Sequence, residues 1–259
     1  MTLIVTLKCM DGVVVASDGQ ATGFSSGGPI RQKCKKIFEL PGKVLMAASG
    51  TIGVIQRCRE EIAKISRNIS DYGLSGVVEE RRGEKVEYIT LRDKIKRLIF
   101  LINKDEKERH KAFYGEEKGA TLADVIIVFY DKDRRRFRAW HVAPDGGDEF
   151  LDELGYGCSG IGDTFGYAFL KNFYSEDLTV KIGAVVAYRV IKEAIEIGAY
   201  GLGEPIDVWV MEKGEEENEE KIEVRQLSLE ELNGLSDTCS MWVEAEKEVF
   251  RKKIRNESS

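Results

Sequence analysis

Apolar positions along this chain switch between two periods. Residues Thr2 to Leu7 are apolar and β-prone, Met10-Asp11-Gly12 supplies turn chemistry, and Val13-Val14-Val15-Ala16 follows. This pattern predicts a hairpin whose second arm is buried on both faces. The Gly- and Ser-rich stretch from Gly19 to Gln32 reads as a loop. Ile37-Phe38-Glu39-Leu40, the turn Pro41-Gly42 and Val44-Leu45-Met46-Ala47-Ala48 predict a second hairpin. The period then changes. Ile52, Ile55, Cys58, Ile62, Ile65 and Ile69 recur at steps of three and four, which marks one apolar face of a helix of about five turns. Leu91, Ile95, Leu98, Ile99 and Ile102 repeat the pattern in a second helix. Asp71 to Lys85, with Gly73, Gly76 and Gly83, reads as a loop between them. The charged residues from Lys104 to Lys118 read as a helix end and an exposed excursion.

Strands return at Asp124–Tyr130 and Arg136–Val142, joined by a charged tip at Arg134-Arg135-Arg136. The turn Gly160-Ile161-Gly162 leads into a helix from about Thr164 to Phe173. Leu178-Thr179-Val180 opens another, running to about Ile197. Ile206–Met211 and Lys221–Gln226 form a closing strand pair around an acidic turn that starts at Gly214. Ser228 to Glu231 reads as S-x-x-E, a capping box that opens a C-terminal helical region with Gly234 as its point of interruption. The order is strands, two helices, strands, two helices, strands. It predicts an α+β protein with sheets inside and helix pairs outside.

Composition narrows the function. The chain has 259 residues, 42% of them hydrophobic, enough for one large core. A net charge of −6 argues against general nucleic-acid binding, which needs clustered Lys and Arg. Five cysteines (Cys9, Cys34, Cys58, Cys158, Cys239) at wide spacing, with no C-x-x-C, predict neither a disulfide framework nor a zinc site. No metal or cofactor is expected. The N-terminal residues lack a basic region followed by a long apolar one, and no apolar run is long enough to span a bilayer. A soluble, cytoplasmic protein without membrane or nucleic-acid partners is the expectation.

The candidate chemistry lies at the N-terminus. Thr2 is small, which favours removal of Met1, and the exposed residue would carry a hydroxyl and a free α-amine together. An unperturbed α-amine has a pKa of about 7.7–8.0, so near neutral pH it can accept the hydroxyl proton without a distant histidine. The two histidines, His110 and His141, read as structural or exposed. Asp18 ends the second strand, and in an antiparallel hairpin that end returns beside the start of the first. Lys36 opens the next strand and can reach the same corner, where an ammonium would lower the proton affinity of the hydroxyl. Gly50, in Ala48-Ser49-Gly50-Thr51, stands between a strand and a helix, a natural place for a backbone oxyanion donor.

These residues together resemble the proteasome β-subunit and HslV family of N-terminal nucleophile hydrolases. The matching stretches are Thr2, Gly12-Val13-Val14-Val15-Ala16-Ser17-Asp18-Gly19-Gln20, Lys35-Lys36-Ile37-Phe38, and Gly42 through Thr51. A weaker likeness resumes over about residues 157–211. The resemblance implies a four-layer α/β/β/α sandwich, subunits assembled into a homo-oligomeric ring, an ATPase or cap partner, and peptide or protein substrates. It assigns Thr2 as nucleophile, Asp18 and Lys36 as activators and Gly50 as oxyanion donor. It places Thr22 on the substrate backbone, and Ala21, Cys34, Ala48 and Ile52 around the side chain before the cut, in a roomy apolar pocket. Residues 1–259 then form one domain with an enlarged 74–119 segment and an extended region after about 212. The absence of a long extension before Thr2 resembles a catalytic chain.

The chain departs from the family at two places. Ile161 stands where the family has a serine near the threonine amine, with Ser159 and Asp163 nearby as candidates to support it. No Asp or Ser occupies Ala199 to Gly203, where Glu196, Tyr200 and Glu204 are the nearest polar side chains. Three readings follow: a threonine peptidase or amidase conditional on loss of Met1, a transpeptidase using the same acyl-enzyme, and a non-catalytic ring or scaffold subunit.

Overall fold

The computed structural model describes residues 2–25, 28–82, 85–115, 122–198, 201–214 and 221–257. Fourteen strands and six helices are found among them: β1 (Ile4–Lys8), β2 (Gly12–Asp18), β3 (Gln20–Ser25), β4 (Gly28–Lys33), β5 (Ile37–Leu40), β6 (Val44–Ser49), α1 (Ile52–Ala63), α2 (Ser66–Tyr72), β7 (Val77–Arg82), β8 (Lys85–Thr90), α3 (Leu91–Tyr114), β9 (Asp124–Asp131), β10 (Arg136–Val142), β11 (Asp148–Phe150), β12 (Tyr156–Ser159), α4 (Asp163–Phe173), α5 (Val180–Glu196), β13 (Ile206–Lys213), β14 (Ile222–Gln226) and α6 (Leu229–Glu257).

Two five-stranded antiparallel sheets stack face to face, one in the order β12-β1-β2-β13-β14 and the other β11-β10-β9-β6-β5. Side chains on successive strand residues point to opposite faces, and the chain uses both. In β2, Val13 and Val15 enter the layer between the sheets, while Val14 and Ala16 pack toward α5. In β6, Leu45 and Ala47 face the other sheet, while Val44, Met46 and Ala48 pack with Val54, Ile55 and Cys58 of α1. The result is three apolar layers: α4, α5 and α6 on the first sheet, sheet on sheet, and α1, α2 and α3 on the second. This is the four-layer α/β/β/α sandwich that the order of elements and the family resemblance predict. No helix among the described residues is long and apolar enough to cross a membrane.

The structure corrects several local expectations. Gly19 to Gln32 is largely a hairpin, with Gln20 opposite Lys33 and Thr22 opposite Arg31. Its residues are half-buried or exposed where described, so no apolar alternation announces it. Asp71 to Lys85 likewise contains β7, which pairs with β8. Its doublets Val77-Val78, Glu79-Glu80 and Arg81-Arg82 carry no period of two. The long first helix is two, α1 and α2, broken at Lys64 and Ile65, where the Ser66 hydroxyl donates to the Ala63 carbonyl at 3.1 Å. Both pieces bury isoleucines in one layer, which preserves the spacing across the break. Helix α3 continues to Tyr114, because Lys- and Glu-rich sequence is a good helix former without a buried face. It ends on left-handed Gly115 (φ 80°). Strand β12 is too short to show in the pattern. The capping box forms at Ser228 and Glu231, with backbone-to-side-chain bonds of 2.7 and 3.2 Å, but Gly234 leaves α6 uninterrupted. Most of the acidic turn after Gly214 lies outside the described residues.

Candidate active site

The layer between the sheets is apolar through its middle and polar at one end. Strand alternation sends Ser49, Asp124, His141 and Ser159 to the same side as Ala47, Ile126, Ala139 and Ile4, their apolar neighbours in that layer. Thr2 stands at that end, two residues before Ile4, and is 6% exposed. Its carbonyl accepts the Gly162 N–H at 3.3 Å. Gly160 presses against it (φ 98°): a Cβ there would lie 2.3 Å from the Thr2 carbonyl oxygen. Only glycine permits that approach.

The first hairpin brings Asp18 beside Thr2. Ile4 pairs with Ser17, so Asp18 falls opposite Leu3. The Leu3 N–H donates to Asp18 Oδ1 at 2.9 Å, and the Asp18 N–H to the Leu3 carbonyl at 3.3 Å. Lys36 Nζ donates to the same Oδ1 at 2.6 Å. Oδ2 accepts the N–H groups of Gln20 (3.3 Å) and Gly203 (3.4 Å). Asp18 is wholly buried and Lys36 is 3% exposed. Burial makes the ammonium harder to keep and holds the Lys36 pKa below its ordinary value, against the opposing pull of Asp18. A buried cation with lowered proton affinity beside the Thr2 end is suited to electrostatic activation of a hydroxyl.

Gly50 lies across from this pair, between β6 and α1. Its φ is 128°, and a Cβ would lie 2.2 Å from the Leu122 carbonyl oxygen. The segment it touches is held from α3. Asn103, 1% exposed, accepts the Ala123 N–H at 2.7 Å and donates to the Ala123 carbonyl at 2.9 Å.

Thr2, Lys36 and Gly50 border one cleft of about 570 Å³. Ala21, Thr22, Cys34 and Ile52 also line it, joined by Ile55 and Leu122, so its walls are mainly apolar. Ala48 is not among the residues that border the cleft. It is completely buried beneath α1, because alternation along β6 sends it to the helix side. Asp163 lies in the first turn of α4, where its carboxylate accepts the Thr164 N–H and, at 3.1 Å, the Thr164 hydroxyl. Ser159 is 1% exposed, donates to Asp124 Oδ2 at 2.6 Å and lies 2.9 Å from the Ser49 hydroxyl. Asp124 Oδ1 in turn meets His141 Nε2 at 2.6 Å. Sequence reasoning missed Ser49, Asn103 and Asp124 and set His141 aside. A serine before the strand-end glycine and an aspartate opening a strand carry no signal until the sheets are stacked.

Comparison with known proteins bears on the fold. The proteasome-subunit family model matches residues 2–98. The proteasome subunit beta of Methanococcus maripaludis (strain C7) is 25% identical over 200 residues, covering 77% of this chain and 78% of that one. The proteasome subunit beta of Nanoarchaeum equitans is 26% identical over 214 residues, covering 82% and 94%. Among solved structures, a (Gly-1) mutant of Anbu from Hyphomicrobium sp. strain MC1 superposes with a TM-score of 0.65 over 97% of both chains, at 16% identity. The chain is thus similar to proteasome β-subunits over most of its length and shares the fold of Anbu.

Two departures from the family pattern lie near the threonine. Ile161, at the place of the family serine, is 52% exposed on the cleft rim. At the second departure, backbone groups approach Asp18 instead of side chains. Gly203 supplies an N–H, and the Gln20 side chain donates to the Gly201 carbonyl at 2.7 Å. Glu204 is occupied by the Ile206 N–H at 3.0 Å, and Glu196 is exposed near the end of α5. Met1, Ala199 and Tyr200 lie outside the described residues.

Proposed function

We propose that this proteasome-β-like chain is an N-terminal-threonine peptidase acting on peptide or protein substrates. The observation that carries the reading is the convergence of Thr2, the buried Lys36–Asp18 pair and Gly50 on one apolar-walled cleft. After loss of Met1, the α-amine of Thr2 takes the hydroxyl proton as Oγ attacks the scissile carbonyl. The carbonyl electron pair becomes an oxyanion facing the Gly50 N–H. Collapse expels the amine, which leaves with the proton, and an ester on Thr2 remains. Water hydrolyses it. Lys36 stabilises the developing negative charge on Oγ, and Asp18 holds Lys36. Ala21, Thr22, Cys34 and Ile52 receive the substrate and favour uncharged side chains before the cut.

The whole chain is read as one domain, working as a homo-oligomeric ring in the cytoplasm, with an ATPase or cap as partner. Ile161 in place of the family serine supports a second reading, a ring subunit without activity. Intact mass before and after treatment with a β-lactone or epoxyketone decides between them. Loss of Met1 and stoichiometric adduct formation on Thr2 are expected. A protein that has lost Met1 yet neither takes the adduct nor cleaves peptides is the inactive subunit. Ligation to an added amine nucleophile would identify a transpeptidase.

A further inference from the structure

The polar end of the layer between the sheets contains a connected set of side chains that the mechanism above does not use. Asp124 has both oxygens committed, Oδ1 to His141 Nε2 at 2.6 Å and Oδ2 to the Ser159 hydroxyl at 2.6 Å. The other ring nitrogen of His141 faces Glu149 Oε1 at 3.4 Å. A serine hydroxyl has one proton. That of Ser159 goes to Asp124, so in the 2.9 Å contact between the two serines Ser49 donates and Ser159 accepts. The donors therefore converge on Asp124, His141 from one side and Ser49 through Ser159 from the other.

The connection also crosses the sandwich. Ser49 and Asp124 are register partners on β6 and β9 of one sheet, while Ser159 belongs to β12 of the other, beside β1 and Thr2. Ser159 is followed by Gly160, which touches the Thr2 carbonyl, and Ser49 is followed by Gly50. One hydrogen bond thus ties the strand end that holds the nucleophile to the strand end that presents the Gly50 N–H. On its far side Gly50 packs against the Leu122 carbonyl, in the segment clamped by Asn103.

We propose that Ser49, Ser159, Asp124 and His141 are positioning residues that set the Ser49–Gly50 peptide, and hence the Gly50 N–H, against the oxyanion formed when Thr2 attacks. This rests on the peptidase reading of the cleft. In that step the Thr2 Oγ–carbon bond forms, the hydroxyl proton passes to the α-amine, and the carbonyl π pair moves to the oxygen facing Gly50. The four side chains exchange no proton with substrate. They act through the backbone, and a loosened donor lowers kcat while leaving ground-state binding intact.

The test compares wild type with Ser49→Ala, Ser159→Ala and Ser49→Thr, each shown by intact mass to have lost Met1. The alanine variants are expected to lose roughly 10–100-fold in kcat at a KM within about twofold of wild type. The Ki of a peptide aldehyde, whose adduct carries the same oxygen, should rise by the factor lost in kcat/KM. Ser49→Thr keeps the hydroxyl and should recover most of the loss. A rise in KM alone, or an aldehyde Ki that does not follow kcat/KM, overturns the proposal. A separate measurement needs no activity: Asp124→Asn should lower the NMR titration midpoint of His141, and an unchanged midpoint overturns the connection itself. Wild-type protein that has lost Met1 but neither labels nor cleaves overturns the peptidase reading, and this proposal with it.

Discussion

The cleft has two supports, and they are built differently. On one side, Asp18 and Lys36 form a buried ion pair from residues within one stretch of chain, and Asp18 is also met by the N–H groups of Leu3, Gln20 and Gly203. On the other side, Ser49, Asp124, His141 and Ser159 come from four strands in two sheets and join side chain to side chain. The first support places a charge where it can act on the hydroxyl. The second fixes a backbone direction. A buried charge is costly unless its partners are complete, whereas a hydroxyl link contributes little to stability and much to orientation.

The largest effect separates chemistry from both supports. Thr2→Ala permits removal of Met1 and keeps the fold, so peptide cleavage and β-lactone labelling should fall by more than about 10³-fold. The melting temperature should stay within a degree or two of wild type. A Thr2→Ala protein that still cleaves at a comparable rate would move the nucleophile elsewhere. Next comes the ion pair. Asp18→Ala removes the acceptor of four donors and strands a buried ammonium, and should cost about 3–5 kcal/mol in denaturant unfolding. Lys36→Ala leaves the carboxylate three backbone N–H groups and should cost less stability while still abolishing activity. If Lys36→Ala proves the more destabilising, the account of Asp18 as the organising group fails.

Smaller effects probe the other side. Gly50→Ala meets both a left-handed φ and the Leu122 carbonyl, and should cost about 1–3 kcal/mol and most of the turnover. Asn103→Ala strands the buried N–H and carbonyl of Ala123, worth about 1–3 kcal/mol by thermal or denaturant melting. Its loss of kcat should be the milder, since it touches Gly50 only through Leu122 and Ala123. The smallest effect is on pH dependence. Burial alone would lower the pKa of His141, but its hydrogen bonds and charge contacts with Asp124 and Glu149 outweigh burial and raise it. A raised folded value means the stabilisation is fully present below the unfolded pKa of about 6.5 and is lost as pH rises through the folded value. His141→Gln should flatten that segment of a stability–pH curve. A slope unchanged by the substitution would show that His141 does not titrate in the folded protein.

The residues around Thr2 differed in how far the sequence revealed them. Asp18 was readable because a short hairpin maps separation along the chain onto position in space, and Lys36 and Gly50 because they border neighbouring strands. Ala48 is harder to place from sequence, since a one-residue step along β6 decides between the cleft side and the α1 side. His141 was dismissed for a related reason. As a strand-end residue it gives no sign of its partner, and Asp124 becomes its neighbour only by the register of β9 against β10. The hairpins β3–β4 and β7–β8 were hidden because they bury no continuous face, and pattern reading depends on one.

The sequence by itself determined the order of the core strands and the helices that cover them, the apolar faces that become three layers, and a threonine with an aspartate, a lysine and a glycine carried on neighbouring strands. Those features are local, and local periodicity and chain connectivity dictate them. Tertiary structure alone decided which polar residues meet at the end of the sheet–sheet layer. Ser159 meets Ser49 and Asp124 there from the other sheet, far away along the chain, and nothing shorter than the stacking of two sheets brings its hydroxyl within hydrogen-bonding distance of theirs.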